Sequence, residues 1–401
     1  MSAIAGLLTL QNAQTNDLVG EYQESIFVRN AKGFNVGSTL FGLMSRLSAE
    51  SADNIEFNWW ERDPVRRNII SSGADDNVTT TLEFDDGSGG DVWPILGAGH
   101  ILKNDRTGEY VRVDADPGSG TVTCTRGVGS STAAAILDND VWALITLGKE
   151  EGSNASRSAY EEPVIQQNFI QTYNSTVEIT NAFKGSVLRT DIEGPLRERR
   201  IQALERIAND IELSLLFGVK DKITGVNGYQ YYTGGLTDTL NLAGLTANQL
   251  NGNGAGGATL ANFQAWLQTF MVYGSDMKLA FCGPKAFAAI SNFANTAAAG
   301  FRIMNNETIF GMNITEVMTP FGVLSLAFHP LMKHATAFED WMVVVDLAHI
   351  TQKTFEPLFL EPNIQTPGQD SYKEQFRCKC GLKVKFPEAH ATAFDLEKLI
   401  A

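Results

Sequence analysis

One long amphipathic stretch constrains this chain more than any other feature. Ile201, Leu204, Ile207, Ala208, Ile211 and Leu215 recur at the i, i+3, i+4, i+7 spacing of a single helical face. Gly194-Pro195 opens the helix, with the proline in the first turn, where its missing N–H costs nothing, and Gly218 stops it. A helix with one apolar stripe buries that stripe against another layer. Arg206 and Asp210 are spaced as an i, i+4 pair. Arg197, Arg199 and Arg200 stand in the first turns, where the helix dipole disfavours cations. That placement points to an acidic partner outside the helix; the alternative is a solvated basic turn.

The stretches on either side have different characters. Between residues 78 and 147, short runs rich in Val, Thr and Ile alternate with turns such as Asp105-Arg-Thr-Gly and Asp116-Pro-Gly-Ser-Gly. Strands are predicted at Val78–Phe84, His100–Leu102, Tyr110–Val113, Val122–Thr125 and Val141–Thr146, which together make a small β-barrel or sandwich. The glycine-rich turns, Asp85-Asp-Gly-Ser-Gly-Gly included, lead into strands rather than a helix, which argues against phosphate cradles. Residues 226–258 read as a Gly/Asn-rich loop region. A second α/β unit follows. Its helices are predicted at Leu260–Val272 and Lys285–Ala294, and its strands at Lys278–Cys282, Asn313–Val317, Val323–Phe328 and Met342–Val345. The closing strand has the cleanest period-two pattern. Cys378, Cys380, Leu382, Val384 and Phe386 face one way, and Arg377, Lys379, Lys383 and Lys385 the other.

Residues 1–50 read as an extended arm with one short helix at Leu40–Leu47, capped by Ser38 or Thr39. Residues 55–75 read as a hairpin-like segment in which Phe57 and Trp59 alternate, Asp63-Pro64 breaks the strand, and Arg66-Arg67 follow. Solvated charges on a surface hairpin and an arm reaching a neighbouring subunit are both open readings of it.

Composition narrows the function. The chain has 401 residues, 43% hydrophobic and 19% charged, enough for a substantial core. Lys and Arg number 31 against 46 Asp and Glu, a net charge of −15, which disfavours tight binding of phosphate backbones over the whole surface. Apolar runs such as Trp341–Leu347 fall far short of a membrane span, and the first residues lack the positive region of a secretion signal, so none is read. The Asn-x-Ser/Thr sequons therefore carry no glycosylation reading. Four cysteines, Cys124, Cys282, Cys378 and Cys380, do not make a disulfide scaffold and fit a reducing compartment. Cys378 and Cys380 lack two further ligands in any zinc spacing and read as part of an apolar strand face. The five histidines sit in no recognisable motif, and no nucleophile elbow, phosphate loop, dinucleotide fingerprint or His-Glu-x-x-His is present. We therefore read no catalytic residue, no cofactor and no metal, and favour a structural or binding role.

The order of parts is arm, charged extended segment, β insertion, long helix, α/β unit and closing strands. That order resembles the major capsid proteins of tailed bacteriophages. Asn168-Phe-Ile-Gln-Thr with Val177-Glu-Ile-Thr, the helix ending Asn209-Asp-Ile-Glu-Leu-Ser-Leu-Leu-Phe-Gly, Val317-Met-Thr-Pro-Phe-Gly-Val-Leu with His329-Pro and Val345-Asp-Leu, and Thr366-Pro-Gly-Gln-Asp-Ser-Tyr-Lys-Glu-Gln are similar to a podovirus-type branch. Gly108-Glu-Tyr-Val-Arg-Val with Thr123-Cys-Thr-Arg-Gly resembles a small β module of phage structural proteins. The resemblance implies an α+β fold of the Hong Kong 97 type. Its parts would be an N-terminal arm (1–54), an extended loop (55–77), an inserted β-barrel-like module (78–150), a peripheral domain with the spine helix (151–225), an axial domain (226–349) and peripheral closing strands (350–401).

The function so implied is self-assembly through pentamers and hexamers into an icosahedral shell enclosing double-stranded phage DNA without sequence-specific binding. The implied partners are further copies, scaffolding and portal proteins, and a decoration protein. The implied location is the virion, after assembly in the host cytoplasm, with no membrane partner. Trp59 and Trp60 are candidate packing anchors between subunits, and Arg62, Arg66, Arg67, Arg197, Arg199 and Arg200 candidate inter-subunit ion-pair residues. The alternatives are an encapsulin-like nanocompartment shell, a β-rich phage tail protein, and a hydrolase without a recognisable motif. Some members of the resembled family cross-link a loop lysine to a neighbour's asparagine. No lysine lies between Lys32 and Lys103 here, so the 55–77 loop cannot supply one. Denaturing gels of mature shells are expected to show a single monomer band; a ladder of isopeptide-linked multimers would overturn this.

Overall fold

The computed structural model describes residues 49–396 apart from 63–65, 86–94, 119, 153–162, 186–194, 227, 254–258, 296–301, 310–311 and 335. The arm, its helix at 40–47, the Asp63-Pro64 break, the 86–90 turn and Gly194 lie outside those residues. The chain divides into two units, one of residues 59–166 and one of the remainder.

The smaller unit is a closed barrel, which decides between barrel and sandwich. Around it run Asn68–Ser71, Thr81–Asp85, Thr121–Thr125, Tyr110–Val113, His100–Asn104 and Val141–Leu147, the last returning to the first. Alternation along the strands sends Ile69, Leu82, Phe84, Leu102, Val111, Val113, Val122 and Trp142 inward, where they form one cluster. Closure leaves this sheet without an edge. At one seam Gly99 has φ +95°, and a Cβ there would lie 1.9 Å from the Gly148 carbonyl oxygen, so only glycine fits. Trp142 Nε1 donates to Ser71 Oγ at 2.7 Å, which satisfies the indole inside the barrel.

Two arginines tie the barrel loops together. Arg126 makes a bidentate pair with the buried Glu109 at 2.7 and 2.8 Å, and its remaining N–H groups reach the carbonyls of Asp76, Thr79 and Ala134. Arg106 grips the buried Asp140 at 2.7 and 2.6 Å.

The larger unit has two large sheets. The first runs Ala49–Ser51, Ile350–Glu361, Ser371–Val384, Gln171–Thr180. The long helix spans Pro195–Phe217, as the sequence predicts, and lies on this sheet. Ala203, Ile207, Ile211 and Leu215 share a core with Tyr173, Val177, Phe376, Cys378, Cys380 and Leu382. The helix ends before Gly218, where only glycine fits, since a Cβ would lie 2.3 Å from the Ser214 carbonyl oxygen and 2.7 Å from that of Thr233. Ile201 and Leu204, expected on the buried stripe, are instead 47% and 36% exposed. The sheet-facing stripe runs through Ala203 and Ile207, one residue round from them.

The second sheet runs Gln249–Asn251, Ala391–Phe394, Met342–Val345, Met277–Cys282, Gly322–Phe328, Met312–Thr319, Arg302–Ile309. Its inner strand Met342–Val345 is buried on both faces: Val343 and Val345 join the helix core, and Met342 and Val344 a second core under helices Leu260–Met271 and Pro284–Asn295. The buried Glu212 of the long helix meets His329 Nε2 at 2.7 Å, bridging helix and sheet.

Three expectations are corrected. Residues 55–75 are not a hairpin: Glu56–Glu61 pairs with Val164–Phe169 in a separate two-stranded ribbon, and Asn68–Ser71 enters the barrel, ahead of the expected start at 78. Residues 226–258 are not loop throughout. They hold half of a hairpin (Asp221–Gly225 with Gly228–Tyr232), a helix at Leu236–Leu242 and the strand Gln249–Asn251. Phe386 does not continue the apolar face of the closing strand. The chain takes a left-handed turn there (φ 48°), leaves Phe386 46% exposed, and carries Ala391–Phe394 into the second sheet.

Asp140 carries a pH dependence. Arg106's hydrogen bonds outweigh burial and, with the Leu137 N–H, draw its carboxyl down to about 2. A carboxyl lowered by folding stabilises above its unfolded pKa of about 3.9 and loses that stabilisation as pH falls toward the folded value. Acid unfolding of the barrel, followed by Trp142 fluorescence, is expected between about pH 5 and 2. Arg106→Leu is expected to shift its midpoint to higher pH; an unshifted midpoint would contradict the assignment.

Candidate assembly interface

The candidate contact residues sit on three elements. On the ribbon, Trp59 is half-buried and its Nε1 donates to Glu61 Oε1 at 2.8 Å. Trp60 is 65% exposed, and Val164 and Ile165 of the paired strand are exposed too. Arg62 follows the ribbon and is exposed. Arg66 and Arg67 are exposed at the entry to the barrel, where the Arg67 carbonyl accepts from the Leu144 N–H at 2.6 Å.

On the helix, the three arginines divide. Arg197 and Arg199 are exposed, and Arg199 reaches Gln202 at 3.4 Å. Arg200 makes a bidentate pair within its own chain, Nε and Nη2 donating to the buried Glu374 at 2.6 and 2.7 Å. Burial pushes the Glu374 carboxyl up, but the donors on Arg200 and Tyr372 outweigh it and hold the group below its ordinary value. Arg200 thus has the acidic partner outside the helix that its position against the dipole called for. Arg206 pulls Asp210 down through its charge, yet burial wins and the Asp210 carboxyl is raised.

Sequence reasoning missed the hairpin Asp221–Tyr232. Ile223, Val226, Tyr229 and Tyr232 are exposed on it, and Lys222 lies 4.6 and 5.2 Å from the Tyr229 and Tyr231 ring centres while pairing with Glu56 at 2.7 Å. Tyr229-Gln-Tyr-Tyr after Gly225-Val-Asn-Gly was the available signal. A second apolar patch missed by the sequence is formed by Val272, Tyr273, Met277, Met318 and Phe321, exposed around the turns at one end of the second sheet.

Several buried ionisable groups hydrogen-bond within the chain at one end of the second sheet, although His390 Nε2 has no partner there among the described residues. Lys278 Nζ donates to the carbonyls of Tyr273 and Ala389 at 2.7 and 2.6 Å, and burial lowers its pKa to about 8. Burial would raise Asp346, but hydrogen bonds from Ser275, Ala348 and His349 hold it below the usual range. His390, pushed down to about 3 by burial, accepts from the Asp346 N–H at 3.2 Å. These contacts pin three turns at one end of the second sheet. The Cys378 and Cys380 thiols lie in the helix core, and among the described residues no group of three His, Cys, Asp or Glu could hold a metal ion.

Comparison with known proteins decides what such a chain is. The sequence model described as SU10 major capsid protein matches residues 34–397. The chain belongs to this major capsid protein family. It is a shell-forming capsid protein of a phage virion, and its α+β architecture includes a closed six-stranded barrel. No curated protein matches. Among solved structures, it is similar to a chain of Mycobacterium phage Bobi (9% identity, TM-score 0.45, 95% of this chain and 96% of that one). It is also similar to one of Microbacterium phage Oxtober96 (10%, 0.44, 96% and 98%). The holo-SrpI encapsulin of Synechococcus elongatus is matched over 59% of this chain and 76% of its own, at 12% identity and TM-score 0.40. No described helix is long and apolar enough to cross a membrane.

Removing Arg200 would leave Glu374 buried with only the Tyr372 hydroxyl. The guanidinium is partly exposed, so the cost lies between that of a surface pair and a buried one. Arg200→Ala is expected to lower unfolding stability by about 2 kcal/mol in denaturant titration. A change below about 0.5 kcal/mol would show the pair to be dispensable.

Proposed function

We propose that the chain builds its shell as pentamers and hexamers, held by many weak contacts rather than by covalent links, around double-stranded DNA. The observation that carries this is the pair of two-stranded elements outside the larger sheets, Glu56–Glu61 with Val164–Phe169 and Asp221–Gly225 with Gly228–Tyr232. Both present large apolar side chains to solvent. Two-stranded elements are marginal in water by themselves, so a partner surface is their natural complement. On this reading Trp59 and Trp60 pack against a neighbour, and Arg62, Arg66, Arg67, Arg197 and Arg199 supply rim charges, while Arg200 serves the subunit's own fold. Residues 226–349 act as the axial domain, and the first sheet with the long helix as the peripheral domain. Scaffolding, portal and decoration proteins are its expected partners, assembly takes place in the host cytoplasm, and the role is structural rather than catalytic. The net charge of −15 keeps packaged DNA from sticking to the wall.

Negative-stain microscopy with light scattering of the purified chain, alone and with its scaffold, tests this directly. Closed shells or five- and six-membered rings are expected; a chain that stays monomeric with scaffold and at raised salt would refute the reading. Trp60→Ala is expected to reduce particle yield while changing subunit stability by less than about 0.5 kcal/mol, because its ring is exposed in the subunit.

A further inference from the structure

The chain passes between the two large sheets three times, and all three passages meet at one junction. The first ends at Asn248, the second is the turn 346–349, and the third is 385–390. Asn248 Nδ2 donates to the carbonyls of Glu388 and His390 at 3.0 and 2.8 Å. The Lys385 N–H donates to the His349 carbonyl at 2.8 Å, tying the third passage to the second. The turn after helix Leu260–Met271 holds both. Lys278 Nζ joins the Tyr273 carbonyl of that turn to the Ala389 carbonyl of the third passage. The Ser275 N–H and Oγ donate to Asp346 of the second, at 2.7 and 3.0 Å. Gly274, at φ +74°, fits with nothing to spare: a Cβ would lie 2.3 Å from Asp346 Oδ2 and 2.9 Å from Ala389 Cβ.

One bond of this junction depends on a proton. The Asp346 N–H donates to Nδ1 of the fully buried His390 at 3.2 Å. Nδ1 accepts only while it carries no proton. A protonated ring would set a second N–H against the Asp346 N–H and place a buried cation near the Lys278 ammonium. Its Nε2 has no partner among the described residues to share that charge. We propose that the junction is a latch fixing the angle between the two sheets, and that a proton on His390 releases it. Burial, and then the Lys278 charge, hold His390 down at about 3 against the attraction of Asp346. In the opened junction the ring regains its ordinary value near 6.5. Between those values the open form binds one proton more than the closed form. Opening is therefore favoured as pH falls below about 6.5, by about tenfold per pH unit.

The other groups around the ring do not supply that slope. The charges acting most on it are those of Lys278, Asp346 and His349. Lys278, drawn down to about 8 by burial, stays protonated from pH 5 to 7.5. Asp346 lies below its ordinary range because its hydrogen bonds outweigh burial, so it stays ionised there. His349 bonds Asp346 Oδ2 at 3.0 Å rather than the ring. Lys385 meets the ring only through its backbone, and Glu388, on the ring's own turn, has its carbonyl held by Asn248. Helix Leu260–Met271 carries no ionisable side chain. Helix Leu236–Leu242 carries only Asp238, which accepts from the Lys220 N–H.

Hydrogen–deuterium exchange of the full-length chain from pH 7.5 to 5, corrected for intrinsic exchange rate and read by mass spectrometry, tests this. Opening at peptides covering 346–349 and 385–390 is expected to rise about thirtyfold over that range, while strand Ser371–Val384 stays unchanged. His390→Asn keeps an acceptor where Nδ1 stands but takes up no proton, and it leaves His349 in place. Its opening is expected to be independent of pH. A slope that survives in His390→Asn would overturn the proposal, as would an equal rise in strand Ser371–Val384, which marks general acid unfolding. If the variant does not fold, the profile of the unaltered chain decides. A one-proton rise beginning near pH 6.5 upholds the latch, and a flat profile down to pH 5 overturns it.

Discussion

The larger unit depends on the apolar stripe of helix Pro195–Phe217 lying on the first sheet, across strands Gln171–Thr180 and Ser371–Val384. Ala203, Ile207, Ile211 and Leu215 share a core there with Tyr173, Val177, Cys378, Cys380 and Leu382, and the same core continues into the second sheet through Phe281, Val343 and Val345. Each such side chain, fully buried, contributes about 2 kcal/mol, which outweighs any single polar contact nearby. The polar contacts then set direction. Arg200 with Glu374 fixes the start of the helix against the strand, His329 with Glu212 fixes its second half against the second sheet, and Gly218 turns the chain where no side chain fits.

The barrel solves a different problem. Its strands are short and would leave open edges in a flat sheet, and closure removes them. The long loops this requires are held by Arg126, which satisfies a buried carboxylate and three carbonyls at once. Charge-assisted bonds of this kind suit a small unit whose apolar interior is limited. The edge left in the first sheet contrasts with this closure, because Gln171–Thr180 keeps one side unpaired among the described residues.

Legibility followed burial. The helix at 195–217 was read to the residue because its stripe is buried along most of its length, and Met342–Val345 because both of its faces are covered. Tyr110–Val113 was equally clear, with alternate residues pointing into the barrel. Reading failed where burial fails. Ile201 and Leu204 are apolar and exposed, so periodicity placed them on the wrong face. The hairpin Asp221–Tyr232 buries almost nothing, so its pattern was weak beside the glycines that follow. Of the candidate contact residues, the position of Arg197, Arg199 and Arg200 against the dipole left an acidic partner and a solvated turn both open, and only the pairing of distant strands gave Arg200 its acid, Glu374.

The sequence by itself determined the long helix and the buried strands, five of the six barrel strands, the absence of a lysine in the 55–77 loop, and, through the order of its parts, the capsid family. Those properties are local, set by side-chain period, by glycine and proline positions, and by composition. Only the tertiary structure decided that Glu56–Glu61 pairs with Val164–Phe169 rather than folding back on Asn68–Ser71, that Ala391–Phe394 crosses into the second sheet, and that Gln171–Thr180 keeps one side unpaired among the described residues. Strand pairing joins residues far apart in the chain through backbone groups that every residue carries alike. No side-chain pattern encodes the partner, and burial of the whole core selects it.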